Sequence, residues 1–234
     1  MTTFRPDFTF ESFIRIGSCA GAYRLALAFA DVRPGAPRVL VLHGQPGVGK
    51  THLLHAIGQV SLRSTPPGRV HAATAADLAG EAIMAIRQDQ TDAFRRKHAA
   101  SDLLLIDDLL ELRDKPATQT VLAAYMRAWV GAGARIAAAS GVPRTALPHL
   151  AKAFRPTTAR WVGLRRATPW ECNRLMVAFL ARRAVTMQPA MLERVTRTCG
   201  GDVRRLVGAA TQVAAAADQP VATSRPPWIR SRGR

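Results

Sequence analysis

The chain has 234 residues, with 33 Lys and Arg against 16 Asp and Glu, a formal net charge of +17, and 48% hydrophobic residues. That length buries a proper core in one large or two small domains, and three widely spaced cysteines (Cys19, Cys172, Cys199) fit neither a disulfide framework nor a zinc site. A reduced, cytoplasmic setting is expected, since Met1 to Asp7 has no apolar signal core and no stretch approaches a membrane span.

In chain order, Phe8-Thr9-Phe10-Glu11-Ser12-Phe13 is an aromatic cluster ahead of a helical stretch over about residues 20–30, and Pro34-Gly35-Ala36-Pro37 is a loop. The β-branched apolar run Val39-Leu40-Val41-Leu42-His43 then breaks into Gly44-Gln45-Pro46-Gly47-Val48-Gly49-Lys50-Thr51, and a helical pattern from His52 to Val60 follows at once. Strand, G-x-x-x-x-G-K-T and helix form a phosphate-binding loop in its proper context. Its glycines let backbone N–H groups turn inward around a triphosphate, and the helix N-terminus adds about half a positive charge. Lys50 reaches the outer phosphates and the Thr51 hydroxyl suits Mg²⁺. A Gly-rich turn alone would not need these flanks.

Thr65-Pro66-Pro67-Gly68 turns into a short strand over 69–73, and Thr74 caps a helix reaching about Gln88, with Asp77 at its third position. A second helix begins near Thr91. Asp102-Leu103-Leu104-Leu105-Ile106-Asp107-Asp108 reads as a buried strand ending in two carboxylates. Alone, Asp-Asp after an apolar run reads as a helix N-cap. With a phosphate loop upstream, and ligands gathering at the carboxyl ends of parallel strands, Asp107 is expected to hold Mg²⁺ through water and Asp108 to orient or deprotonate an attacking water.

A helix over about 118–131 and a strand over 135–140 complete the alternation, which predicts an α/β fold with a parallel sheet covered by helices on both faces. The pattern changes after Leu164. Thr168-Pro169-Trp170-Glu171 is a helix start with a cap, a proline at the first position and a glutamate reaching back. This helix is read to about Val185, a second over 188–199 is stopped by Gly200-Gly201, and Asp202 caps a third through Ala217. No strand is expected there. The division is therefore a nucleotide-binding core over 1–167, an all-helical lid over 168–217, and a basic, disordered tail over 218–234. From Lys152 onward, 16 basic residues face four acidic ones, leaving +12, an excess that suits a polyanion such as nucleic acid.

A phosphate loop in an α/β core followed by a helical lid is the layout of AAA+ ATPases, and the details are more specific. The 8–13 cluster, Gly49-Lys50-Thr51-His52-Leu53-Leu54-His55-Ala56-Ile57-Gly58, Leu104-Leu105-Ile106-Asp107-Asp108 and Asp202-Val203-Arg204-Arg205-Leu206-Val207-Gly208-Ala209 closely resemble the AAA+ domain of the bacterial replication initiator DnaA family. The resemblance runs from about residue 8 to 213. It implies ATP and Mg²⁺ held by 44–52, with Lys50 and Thr51 on phosphate and metal. It makes Asp107 and Asp108 the metal and water-orienting pair, and Arg204 the lid arginine that touches the γ-phosphate. The helix pair from Ala85-Ile86-Arg87 through Phe94-Arg95-Arg96 matches the family's initiator-specific pair, and Lys115 and Thr118-Gln119 fall in its single-stranded-DNA segment. Arg160, ahead of Trp161 and Gly163-Leu164, is the best match to a trans-acting arginine finger, with a one-residue shift.

The chain also departs from the family. Gly141 stands where a polar γ-phosphate sensor is expected, Ala117 replaces a DNA-contacting arginine, and the C-terminal helix-turn-helix domain has no counterpart in the sequence. The resemblance implies a slow, switch-like ATPase in replication initiation or its control, assembling with itself or a DnaA-type partner and contacting single-stranded DNA. A regulator of the Hda type, a helicase-loader or transposition-helper ATPase, and a non-hydrolysing nucleotide-binding scaffold are the alternatives. His52, His55, Trp161 and Trp170 read as packing residues rather than ligands or base platforms, and Arg165-Arg166 and Arg182-Arg183 stand between phosphate contact and solvated surface.

Overall fold

The computed structural model describes residues 5–64, 69–218 and 229–231, and the chain divides into two compact units. The first comprises residues 1–13, 21–45 and 50–164; the second comprises 14–20, 46–49 and 165–234.

The first unit is built on strands β1 (Val39–His43), β2 (Val70–Thr74), β3 (Leu103–Asp107), β4 (Arg135–Ser140) and β5 (Ala159–Gly163), all parallel, in the order β2-β3-β4-β1-β5. The continuous apolar runs of β1 and β3 are the signature of strands buried on both faces. Along β1, Val39 and Val41 join one core cluster with Leu104, Ile106, Ile136 and Ala138. The alternate residues, Leu40 and Leu42, are buried on the other face, as a period of two requires.

Helices α1 (Ala20–Ala30), α2 (Lys50–Ser64), α3 (Ala75–Arg87), α4 (Thr91–Ala99), α5 (Pro116–Gly131) and α6 (Pro148–Lys152) supply the cover. The small residues Ala137, Ala138 and Ala139 of β4 are fully buried and let helices approach the sheet closely: α2 and α5 both pack on this strand. Thr74 caps α3 as its position implies, its Oγ1 accepting the Asp77 N–H at 3.1 Å. Under α4 and α5, Phe94, His98, Tyr125 and Trp129 form an aromatic nest in which Trp129 has no exposed surface.

The second unit holds α7 (Pro169–Ala181), β6 (Val185–Met187), α8 (Pro189–Cys199), α9 (Val203–Asp218) and β7 (Ile229–Ser231). The start of α7 is a complete capping box: Thr168 Oγ1 accepts the Glu171 N–H, and Glu171 Oε2 accepts the Thr168 N–H. Glu171 Oε1 also accepts the Ser18 N–H at 2.8 Å. Burial alone would raise its pKa, but these hydrogen bonds outweigh it and hold the carboxyl below its ordinary value.

The α7 helix ends at Ala181 rather than near Val185, because Ala184 takes a left-handed conformation (φ 54°) and the β-branched pair Val185-Thr186 extends into β6. Three residues of the tail, Ile229–Ser231, pair antiparallel with β6. The expectation of disorder over 219–228 and 232–234 lies outside the described residues. In the first unit, β5 and α6 were not foreseen. All three cysteines are buried free thiols, and no helix among the described residues is long and apolar enough to cross a membrane.

Candidate functional site

The phosphate-loop residues leave the sheet at its middle. Gly44 N donates to Ser140 O at the end of β4 (3.1 Å), and Leu164 N donates to His43 O at the end of β1 (2.7 Å). The loop therefore starts between two neighbouring strands that fix its base. Gly44, Gly47 and Gly49 have φ of 155°, 80° and 97°, values that residues with a Cβ rarely adopt. Gln45 and Pro46 are exposed and Val48 is buried. Helix α2 begins at Lys50, so Lys50 and Thr51 occupy its first turn, where the N-terminal end of the aligned peptide dipoles favours an anion. The Lys50 ammonium donates to Gly44 O (2.8 Å) and Gln45 O (2.9 Å), folding back on the loop it follows. Burial, and then the Lys50 charge, lower the pKa of the neighbouring His43.

Asp107 ends β3, half-buried, and its Oδ1 accepts the Asp108 N–H at 2.8 Å. Asp108 is exposed and left-handed (φ 55°, ψ 58°), a conformation that costs free energy and clusters at functional sites. An ammonium, a hydroxyl and two carboxylates thus sit at the carboxyl ends of β1 and β3, with β4 between them. Oxygen donors suit a hard cation, and the ammonium with the helix N-terminus suits phosphates. The residues present fit a nucleoside triphosphate with Mg²⁺.

Arg204 lies one residue into α9, exposed, in the second unit. Arg160 is the second residue of the edge strand β5, exposed, with Nη1 donating to Pro156 O. His52 is drawn to the N-terminal segment: its ring stacks on Phe8 at 4.6 Å, meets Phe13 edge-on, and places Nε2 2.9 Å from Thr9 O. Its imidazole therefore packs, and any part it has in ligand binding falls to its backbone.

Gln119 is buried rather than presented to a nucleic acid, since Nε2 donates to Leu112 O and Oε1 accepts the His149 N–H. Trp161 packs against the core, whereas Trp170 is 65% exposed with the Arg174 guanidinium 4.8 Å from its ring centre, which corrects the packing assignment at that position. Arg166 Nη1 donates to Gly200 O, and Arg183 donates to Phe179 O and Thr211 Oγ1. Arg95, Arg96 and Lys115 are exposed.

No sequence spacing links Gly141 to Leu110. A Cβ at Gly141 would stand 3.3 Å from the Leu110 side chain, so Leu110 already crowds the place where a polar sensor would begin.

The family described as the bacterial DnaA ATPase domain matches residues 4–161. The chromosomal replication initiator protein DnaA of Thermomicrobium roseum is 32% identical over 225 residues, covering 92% of this chain and 48% of that protein. The chain spans about half the length of the curated relatives it matches. Among solved structures, domain III of the Thermotoga maritima replication initiation protein DnaA superposes with a TM-score of 0.78 at 26% identity, covering 92% of this chain and 90% of that one. A replication initiator DnaA bound to AMPPCP and single-stranded DNA shares the fold, with a TM-score of 0.77 at 21% identity, covering 91% of this chain and 66% of that one.

Proposed function

The chain belongs to the bacterial DnaA ATPase-domain family, and from that premise we propose that it binds ATP and Mg²⁺ as a switch in the initiation of chromosomal replication or its control. The observation that carries this reading is the loop between β1 and α2, with three glycines at positive φ and the Lys50 ammonium held on the Gly44 and Gln45 carbonyls. In this reading the loop N–H groups, Lys50 and Arg204 bind the phosphates, and Thr51 and Asp107 hold the metal. When bound, the cation neutralises phosphate charge. Asp108 accepts the proton of an attacking water. Arg160 reaches a neighbouring copy's site, a heterologous contact that does not close on itself.

A similar structure, that of an initiator bound to single-stranded DNA, and the exposed basic residues Arg95, Arg96 and Lys115 support a single-strand contact here. The crowding of Gly141 by Leu110 favours slow turnover, as befits a switch or a regulator of another initiator more than a steady hydrolase.

The test is Lys50→Ala with calorimetry. Loss of a charge-assisted partner to the triphosphate should cost about 1.5–3 kcal/mol of binding. Equal ATP affinity in wild type and variant would sink the assignment.

A further inference from the structure

Helix α9 starts against the phosphate loop. Within the second unit, Val203 N donates to Gly47 O at 2.9 Å, so the first orphan N–H of the helix is satisfied by the loop itself. The next two, Arg204 N and Arg205 N, donate to Asp202 Oδ1 at 2.9 and 3.2 Å. The same carboxylate leans on the loop: a Cβ built on Gly47 would overlap Asp202 Oδ1 and Cγ. Gly47 at φ 80° is therefore required twice, by its own dihedral and by the carboxylate beside it.

A cap needs only a short side-chain oxygen, which serine supplies. Asp202 does more than cap, because its carboxylate also fills the space over Gly47. We propose that Asp202 is a positioning residue that registers the start of α9 on the phosphate loop and so couples the state of the loop to Arg204, two residues on.

This inference rests on the nucleotide reading above, in which Arg204 meets the γ-phosphate. A ligand that settles the loop dihedrals then also settles the first turn of α9. Since ADP lacks a γ-phosphate, loss of the registration weakens ATP binding selectively.

The test compares three substitutions. Asp202→Asn keeps an oxygen of the same reach, Asp202→Ser keeps the cap but withdraws from Gly47, and Asp202→Ala loses both. By calorimetry, the preference for ATP over ADP should stay at the wild-type value in Asp202→Asn. It should fall about tenfold, ~1.4 kcal/mol, in Asp202→Ser and Asp202→Ala alike. A second measurement needs no nucleotide. In thermal melts, Gly47→Ala should lower Tm further in the wild-type background than in Asp202→Ser, where the shorter side chain vacates the space the new methyl needs. Wild-type discrimination in Asp202→Ser would reduce Asp202 to a helix cap, and an equal loss of Tm in the two backgrounds would dismiss the contact. Failure of the wild type to bind ATP would overturn the nucleotide reading instead, while the melts would still decide the contact.

Discussion

Asp108 carries the sharpest chemical expectation at the scale of single residues. Asp108→Asn should still bind ATP but release no phosphate, because an amide does not accept the proton that a carboxylate takes. A phosphate-release assay giving wild-type turnover for this variant would remove Asp108 from the site. Gly141 leads to a paired expectation. A side chain there meets Leu110 at 3.3 Å, tighter than ordinary contact, so Gly141→Asn alone should be strained, whereas Gly141→Asn with Leu110→Ala should raise turnover above wild type. No gain in the double variant would mean that the missing polar group does not limit hydrolysis. The loop residues were legible because a phosphate loop is local: glycines, lysine and threonine lie within eight positions of each other. Leu110 was not, because its contact with Gly141 joins the turn after β3 to the end of β4, and no spacing rule connects them. Likewise, nothing in the sequence of α2 shows that the His52 ring stacks on Phe8.

Among the elements, α4 has the most conspicuous anchor. His98 has a fully buried ring packed among His71 of β2, Phe94 of its own helix and Trp129 of α5. Its Nε2 stands 3.4 Å from Glu81 Oε2 on α3, and Nδ1 has no hydrogen-bond partner among the described residues. Burial, then the neighbouring His71 and Lys97, lower its pKa from 6.5 to about 4, against the opposing pull of Glu81. The unfolded chain therefore takes up a proton near pH 6.5 that the folded chain refuses until about pH 4, and stability falls as pH drops through that window. The loss should approach about 3 kcal/mol by the lower end, measured as urea unfolding between pH 7 and 4, and His98→Phe should flatten most of this dependence. An unchanged pH slope in that variant would show that other groups control acid sensitivity.

Capped helices such as α3 and α7 were readable, since Thr74 and Thr168 announce their starts. The edge strand β5 was not. Its Ala-Arg-Trp-Val-Gly run alternates poorly, and pairing with β1 rather than composition makes it a strand.

For the whole molecule, charge and assembly give two expectations. The basic excess and the exposed Arg95, Arg96 and Lys115 should make DNA binding depend on phosphates, so log affinity should fall linearly with log salt. Each lost contact should lower the slope by about 0.7–0.9. Mobility shifts on single-stranded and duplex DNA, with ATP and with ADP, should show ATP favouring the single strand. Salt-insensitive binding would contradict a phosphate-led mode. Arg160→Ala should leave ATP binding intact while reducing ATP-dependent assembly seen by light scattering. Identical scattering would leave Arg160 as surface charge. The α/β class was legible from the alternation of strands and helices. The strand order was not, because parallel strands pair without regard to their order along the chain.

That order bears on how the protein is made. β1 is made before the strands that flank it, and β4 and β5 follow about a hundred residues or more later, a separation that makes pairing slow. Until then Val39-Leu40-Val41-Leu42 is an uncharged, β-prone segment without a neighbour, the kind of stretch that seeds aggregation in half-made chains. The residues that give the phosphate loop a fixed base are thus the ones that leave the nascent chain most dependent on the last strand of the parallel sheet, and on whatever shelters β1 until that strand is made.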